Sequence, residues 1–242
     1  MRLASSVEDL DAVCRLRFNV FNLELAKGLD ASYVTGMDTD HFDLFCEHLI
    51  VEDKQDGRIV GTYRMQSGMT ASRNLGYYSQ TEFDFAAYEP LRGEVLELGR
   101  AAIDRDHRTP EVLTLLWRGI AQYATDMQLR YLIGCSSLNS VNPREGWQMY
   151  RKLTYYLVAE ELATRPASGF ACPDESADAV LDAAAEPAKV PKLLKTYLAI
   201  GARICSAPAW DREFGTIDFL TLLDLRTVSS SARNRFLAPL TQ

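Results

Sequence analysis

VLELGRAAI, residues 95 to 103, reads as a central strand with an odd insertion: Glu97, Gly99 and Arg100 stand among aliphatic residues that belong inside a sheet. Charged side chains are seldom fully buried unless they are paired. In a regular strand successive side chains alternate, so Glu97 and Arg100 face opposite sides. A bulge at Gly99 reverses that parity, brings both groups to one face and frees a backbone amide to point at a ligand. The simpler alternatives are a structural ion pair, or a regular strand with one charge at its end.

Downstream, DRDHR (104–108) is a turn, Thr109 caps a helix with Pro110 in its first position, and Glu111 suits the positive end of the dipole. The helix EVLTLLWRGIAQYATDM presents Leu113, Leu116, Trp117, Ile120 and Ala124 on one face, and YLIGCSSL (131–138) returns as a strand. Strand, helix, strand predicts a parallel pair. Upstream, HLIVED and IVGTYRMQ flank KQDGR, whose Asp56 and Gly57 suit a tight hairpin. The sheet is therefore mixed and the class α/β. A short helix is expected near TEFDFAAY (81–88), and helix followed by strand material over 193–225.

The first helix is expected to begin at Ser5 or Ser6, with Ser5 and Glu8 matching a capping box, and to run through VEDLDAVCRLRFNVFNLELA. Leu10, Val13, Arg17 and Phe21 share a face, so Arg17 lies in an apolar stripe; either its head snorkels to water or a carboxylate holds it. GMDTDHFD (36–43) brings Asp38, Asp40 and Asp43 together in a loop that lacks the glycine and distal glutamate of a calcium-binding EF-hand. Either this is a solvated acidic loop or, the stronger reading, its carboxylates pair with Arg17 or another internal arginine. Arg64 shares a strand face with Val60 and Thr62, pointing toward a core or cleft.

A chain of 242 residues, 47% hydrophobic, can bury a substantial core. Its net charge of -7 argues against nucleic-acid binding. The five cysteines are scattered without CxxC spacing, which suggests neither a disulfide framework nor a zinc site. No apolar run approaches the roughly 20 residues of a membrane span, and the first residues do not read as a signal segment. The expectation is a cytoplasmic protein.

The succession of Arg17 with Val20-Phe21, DTDHFD, IVGTYR, ELGR and LLWRGIAQYA resembles the N-acyltransferases that make lyso-ornithine lipid, a branch related to the acyl-homoserine lactone synthases and to the Gcn5-related N-acetyltransferase (GNAT) superfold. The resemblance runs from about Val13 to Leu225, and the tail from Leu193 onward is similar to the ornithine branch in particular. It implies a GNAT-like fold, a mixed central sheet flanked by helices; the chain itself reads as one domain over 1–242, and the alanine-, proline- and small-polar-rich composition at about 163–190 marks a mobile insertion. The resemblance also implies transfer of a long fatty acyl group from the phosphopantetheine thioester of acyl carrier protein to the α-amine of an amino acid, ornithine being the candidate. Neither a bound cofactor nor a metal is implied.

Carried onto this chain, the resemblance makes Glu97 the general base, with Arg100 beside it. It places Arg17, Phe21, Asp38, Asp40, Arg64 and Gly99 around the acceptor. Arg105, Arg108, Arg144, Arg151, Lys152, Lys192 and Lys195 are expected to meet the acidic carrier protein, though solvated surface positions would explain them equally. RDHRTPE stands where acetyltransferases carry a glycine-rich coenzyme A loop, which favours a carrier protein as donor. The stretch after the first helix lacks the tryptophans typical of synthases that use S-adenosylmethionine. Asp211 and Asp218 either face a cationic acceptor or sit in turns. The product is amphiphilic, so transient contact with the inner membrane is expected. The rival readings are an acyl-homoserine lactone synthase-like enzyme, and a non-catalytic acyl-binding or membrane-active protein.

Overall fold

The expected strand at VLELGRAAI lies in the middle of a mixed sheet. In the computed structural model, which describes residues 1–174 and 189–237, the chain runs β1 (Arg2–Leu3), α1 (Val7–Phe18), α2 (Ser32–Thr35), β2 (Glu47–Glu52), β3 (Ile59–Ser67), α3 (Gly68–Arg73) and β4 (Val95–Ile103). It continues through α4 (Pro110–Asp126), β5 (Tyr131–Leu138), α5 (Pro143–Lys152), α6 (Lys192–Ile200), β6 (Arg203–Ile204), β7 (Ala209–Asp211) and β8 (Thr216–Asp224). The sheet order is β1-β2-β3-β4-β5-β8, with β6 and β7 sharing the outer edge of β8. Only the β4–β5 pair is parallel among these, and α4 is its crossover.

The helix ends follow the chemistry of their caps. Ser6, not Ser5, caps α1: its side chain accepts from the Asp9 amide. The helix then loosens into a π-helical turn, Asn19–Glu24, which carries Phe21. Thr109 caps α4 by accepting from the Val112 amide, with Pro110 in the first turn. The expected face of α4 is buried: Leu116, Trp117, Ile120 and Ala124 pack against Leu49, Val51, Tyr63, Met65, Leu96 and Leu132, with Leu113 half-buried beside them. The segment TEFDFAAY forms two 3-10 stretches, Ser79–Thr81 and Ala86–Glu94, rather than a single short helix. Its Phe83, Phe85 and Tyr88 join Tyr77 in a second apolar cluster on the opposite face, together with Val95 and Ile133. Of the insertion at 163–190, residues 163–174 are stitched to their neighbours by bonds such as Thr164 N to Cys205 O (2.7 Å) and Ala167 N to Glu82 O (2.7 Å). Residues 175–188 lie outside the described residues.

The bulge exists one residue beyond its expected place. Arg64 pairs with Gly99 and Thr62 with Ala102, so Tyr63 stands opposite both Arg100 and Ala101. Arg100, not the glycine, takes the left-handed backbone, with φ of 50°. Leu96 and Leu98 face the α4 side before the bulge, and Ala101 and Ile103 face it afterwards. The flip puts Arg100 on the face of Glu97, as the parity reasoning requires.

Beyond the pair Glu97–Ile133 the parallel ladder stops, although β4 continues to Ile103 and β5 to Leu138. At this parting Gly134 approaches the Leu98 carbonyl so closely that an added Cβ would lie 2.2 Å from its oxygen. Only glycine tolerates that contact. Gly134→Ala is expected to lower stability by about 2 kcal/mol, the scale of an overpacked core, read as an earlier urea midpoint with an unchanged slope.

Candidate active site

A cavity of about 360 Å³ opens where β4 and β5 part. On the α4 side it is apolar, lined by Tyr63, Leu98, Trp117, Leu132, Tyr197 and Leu223. On the other side it meets Glu97, Tyr78, Ser79, Glu82, Asp211 and Asp218, with Phe21, Leu25 and Phe214 also in its wall. Because Leu98 and Leu132 face the α4 core while Glu97 faces the second side, the opening passes through the sheet. An apolar chain fits at one end and a polar, cationic group at the other, with Glu97 between them.

Glu97 is 5% exposed, and its two carboxylate oxygens accept from the backbone amides of Tyr78 (2.9 Å) and Ser79 (2.7 Å). Burial pushes its pKa up, and the two amides only partly oppose this. A carboxyl tuned in this direction is suited to accept a proton near neutral pH. Cys135 lies across the cleft, and burial pushes its thiol well above the ordinary range, so it remains protonated.

Next to the cavity, three arginines and three aspartates form a closed network. Arg17, wholly buried, donates from Nε to Asp38 (2.8 Å) and from its terminal nitrogens to Asp43 (2.7 and 3.0 Å). Arg64 joins Asp40 (2.6 Å) and Asp43 (2.9 Å), and Arg100 joins Asp40 (3.1 Å). Burial works to raise Asp43, but the hydrogen bond and charge of Arg17 and the charge of Arg64 outweigh it and hold the carboxyl well below its usual range. Asp40 is lowered in the same way, Arg64 and Arg100 prevailing over burial.

Of the residues expected from the sequence, Glu97, Gly99, Arg100, Arg64 and Phe21 line the cavity. Arg17, Asp38 and Asp40 lie behind it and hold Arg64 and Arg100 in place. An added Cβ at Gly99 would meet nothing within 4 Å, so this glycine leaves open space rather than relieving the backbone. Arg108 is engaged by Glu24 through both terminal nitrogens, and Arg105 is exposed beside it. Arg144, Arg151 and Lys152 are exposed on α5, which contributes nothing to the cavity wall. Lys192 and Lys195 are exposed on α6, whose Leu193, Leu194 and Tyr197 do line it. Sequence reasoning missed Tyr78, Ser79 and Glu82. The available signal was the alternation of acids and aromatics in EFDF, which sets Glu82 inside an apolar segment.

Removing Arg17 leaves buried Asp38 with only a long contact to Arg100 (3.6 Å) and Asp43 with Arg64 as its one arginine partner. Arg17→Met is expected to cost about 3–5 kcal/mol at neutral pH, measured by urea unfolding. Because Asp40 and Asp43 are depressed in the folded state, their contribution is complete above the ordinary carboxylate pKa of about 4 and is lost as pH falls toward their folded values. The wild type should therefore lose stability steeply on acidification below that point, and Arg17→Met less steeply.

Comparison with known proteins agrees with this geometry. A model described as an acetyltransferase (GNAT) domain matches residues 16–118. The chain is 32% identical to the L-ornithine N(alpha)-acyltransferase of Agrobacterium fabrum over 94% of its own length and 81% of the relative's. It is 29% identical to the protein of that name from Brucella abortus, over 95% and 85% of the two chains. The crystal structure of the acyl-homoserine lactone synthase LasI shares the fold at a TM-score of 0.56 and 13% identity, over 98% of this chain and 93% of the other. Among the described residues, no helix is long and apolar enough to cross a membrane. The chain is an N-acyltransferase of the GNAT superfold and belongs to the family of the L-ornithine N(alpha)-acyltransferases.

Proposed function

We propose that this enzyme moves a long fatty acyl group from the phosphopantetheine thioester of acyl carrier protein to the α-amine of ornithine. The observation that carries the reading is the cavity through the sheet, apolar on the α4 side and lined by carboxylates on the other, with Glu97 at the crossing. The relatives named as ornithine acyltransferases supply the acceptor.

In this reading the acyl tail lies among Tyr63, Trp117, Leu132 and Tyr197, and the thioester carbonyl sits where β4 and β5 part. An amine needs no covalent enzyme intermediate once it has lost its proton. Glu97, directly or through a water, takes that proton, and the nitrogen attacks the thioester carbon. The oxyanion of the tetrahedral intermediate is held by backbone amides of β4 beyond Leu98, which have no β5 partner in the register. Collapse breaks the C–S bond, and the proton that the nitrogen sheds on becoming an amide goes to the departing sulfur, directly or relayed by Glu97. Arg64 and Arg100, fixed by Asp40 and Asp43, position the ring of Tyr78, over which both guanidinium groups stack, and with it the turn that holds Glu97.

Lys192 and Lys195, exposed on α6 whose Leu193, Leu194 and Tyr197 line the cavity, are available to meet an acidic carrier protein. The product is amphiphilic, which suits a cytoplasmic enzyme that touches the inner leaflet in passing.

Purified protein incubated with palmitoyl carrier protein and ornithine is expected to yield an N-acyl amino acid by mass spectrometry. Glu97→Gln should reduce kcat by about 10²–10³-fold, the usual scale for loss of a general base, and abolish the acid limb of the wild-type pH profile. That limb should lie above the ordinary glutamate pKa, because burial raises Glu97. Full activity in Glu97→Gln, use of short acyl-coenzyme A alone, or a requirement for S-adenosylmethionine would each defeat the reading.

A further inference from the structure

Glu82, Asp211 and Asp218 come from three separate elements. Glu82 closes the 3-10 turn Ser79–Thr81, Asp211 ends β7 and Asp218 lies early in β8. Asp211 pairs with Thr216, so Asp218 is its diagonal neighbour on the same sheet face. One carboxylate oxygen from each lies within 4.8 Å of the others. Glu82 is 1% exposed, Asp211 6% and Asp218 3%, yet all three line the cavity.

Their hydrogen bonds are incomplete. Asp211 Oδ1 accepts from the amides of Glu213 (2.9 Å) and Phe214 (3.0 Å), and Asp218 Oδ2 from the Thr216 hydroxyl (3.0 Å). Glu82 Oε2 and Asp218 Oδ1 are buried with no donor hydrogen-bonded to them, although the Ser137 hydroxyl lies beside Asp218 and the Glu82 and Asp218 carboxyls are close enough to act on each other. No lysine or arginine among the described residues forms a salt bridge with any of the three. The contrast with the neighbouring network is direct, since Asp38, Asp40 and Asp43 are each held by an arginine. Arg100 acts on Glu82 only from a distance and is itself taken up by Asp40.

We propose that Glu82, Asp211 and Asp218 form a cradle for the side-chain ammonium of the acceptor, making the enzyme selective for a diamino acid over a neutral one. The inference rests on the reading that the acceptor is an amino acid acylated at its α-amine. An ammonium brings three N–H donors to three carboxylates and supplies the charge that the cluster lacks. A calcium ion would need six or more oxygen ligands, and oxygens of Asp211 and Asp218 are already occupied by amides and a hydroxyl. Burial and the neighbouring carboxylates push Glu82 well above its usual range and Asp218 up to about 6, so a bound cation would favour the ionised form of both.

The cradle is also tied to the reacting centre. The amides of Tyr78 and Ser79 hold Glu97, and the same turn ends at Glu82. Three residues of 3-10 helix advance about 6 Å. The two nitrogens of an extended ornithine, separated by bonds of roughly 1.5 Å, are also about 6 Å apart.

The test compares ornithine with norvaline, which has the same carbon chain without the terminal amine. The wild type should favour ornithine by about 100-fold or more in kcat/KM, the scale of a charged hydrogen-bonded contact. In Glu82→Gln and Asp218→Asn the KM for ornithine should rise at least about 30-fold while kcat with ornithine changes little, and the preference over norvaline should collapse. Equal use of the two acceptors by the wild type, or an unchanged preference in both variants, overturns the proposal. So does activity that chelation abolishes and calcium or magnesium restores, which would assign the cluster to a metal. Should the variants fail to fold, a crystal structure of the wild type with ornithine decides: the side-chain nitrogen either lies within hydrogen-bond distance of these carboxylates or it does not. If the wild type acylates no amino acid, the functional reading fails, and calorimetric binding of ornithine against norvaline still decides the cradle, with equal or absent binding overturning it.

Discussion

Two neighbouring strands that stop pairing inside a sheet leave a row of backbone donors and acceptors without partners, and such groups must be satisfied or used. In this molecule the ladder between β4 and β5 ends at Glu97 and Ile133, and the rest of the site depends on that break. The break opens a way through the sheet and puts backbone amides beside the opening. Gly134, lying against the Leu98 carbonyl, fixes how closely the strands approach before they part. The bulge at Arg100 then turns the guanidinium toward the same face as Glu97.

Charge is distributed unevenly around this opening. Behind it, three arginines and three aspartates neutralise one another, and their hydrogen bonds offset much of the cost of burial. That network acts as a fixed wall: it holds Arg64 and Arg100 against Tyr78, and Tyr78 begins the turn that holds Glu97. In front of it, Glu82, Asp211 and Asp218 have no such compensation. One fold thus contains a carboxylate cluster held by arginines, which gives rigidity, and one without arginine partners, whose ionisation burial and mutual repulsion oppose.

Much of this was legible in the residue order. The alternation of VLELGRAAI, the DG turn at Asp56-Gly57 and the Thr109-Pro110 cap are local signals that survive in any tertiary context, and they give the strand, the hairpin and α4. Arg17 on an apolar stripe, followed by three aspartates within six residues, announces a buried pairing. The bulge was displaced by one residue because glycine is the usual host of a positive φ, whereas here cross-strand register and the pull of Asp40 place Arg100 there. Gly99 serves instead through its missing side chain. Glu82 was hidden for a different reason: its role depends on Asp211 and Asp218, more than a hundred residues away, and no period or spacing connects them.

The start of α4 indicates how a donor is to be recognised. Helix N-termini bind phosphates through exposed amides and a positive dipole end. Here the Thr109 side chain occupies the Val112 amide, Pro110 has no amide to offer, and Glu111 sets a negative charge in the first turn. Arg108, the nearest guanidinium, is engaged by Glu24. A pyrophosphate would find little at this end of the helix. The lysines of α6 are exposed on the helix whose Leu193, Leu194 and Tyr197 line the apolar half of the cavity, whereas Lys27, Arg64 and Arg100 are in the wall itself. In the proposed reading the donor is a carrier protein with an acidic surface and a single phosphodiester on its arm, which asks less of this helix end than a pyrophosphate would.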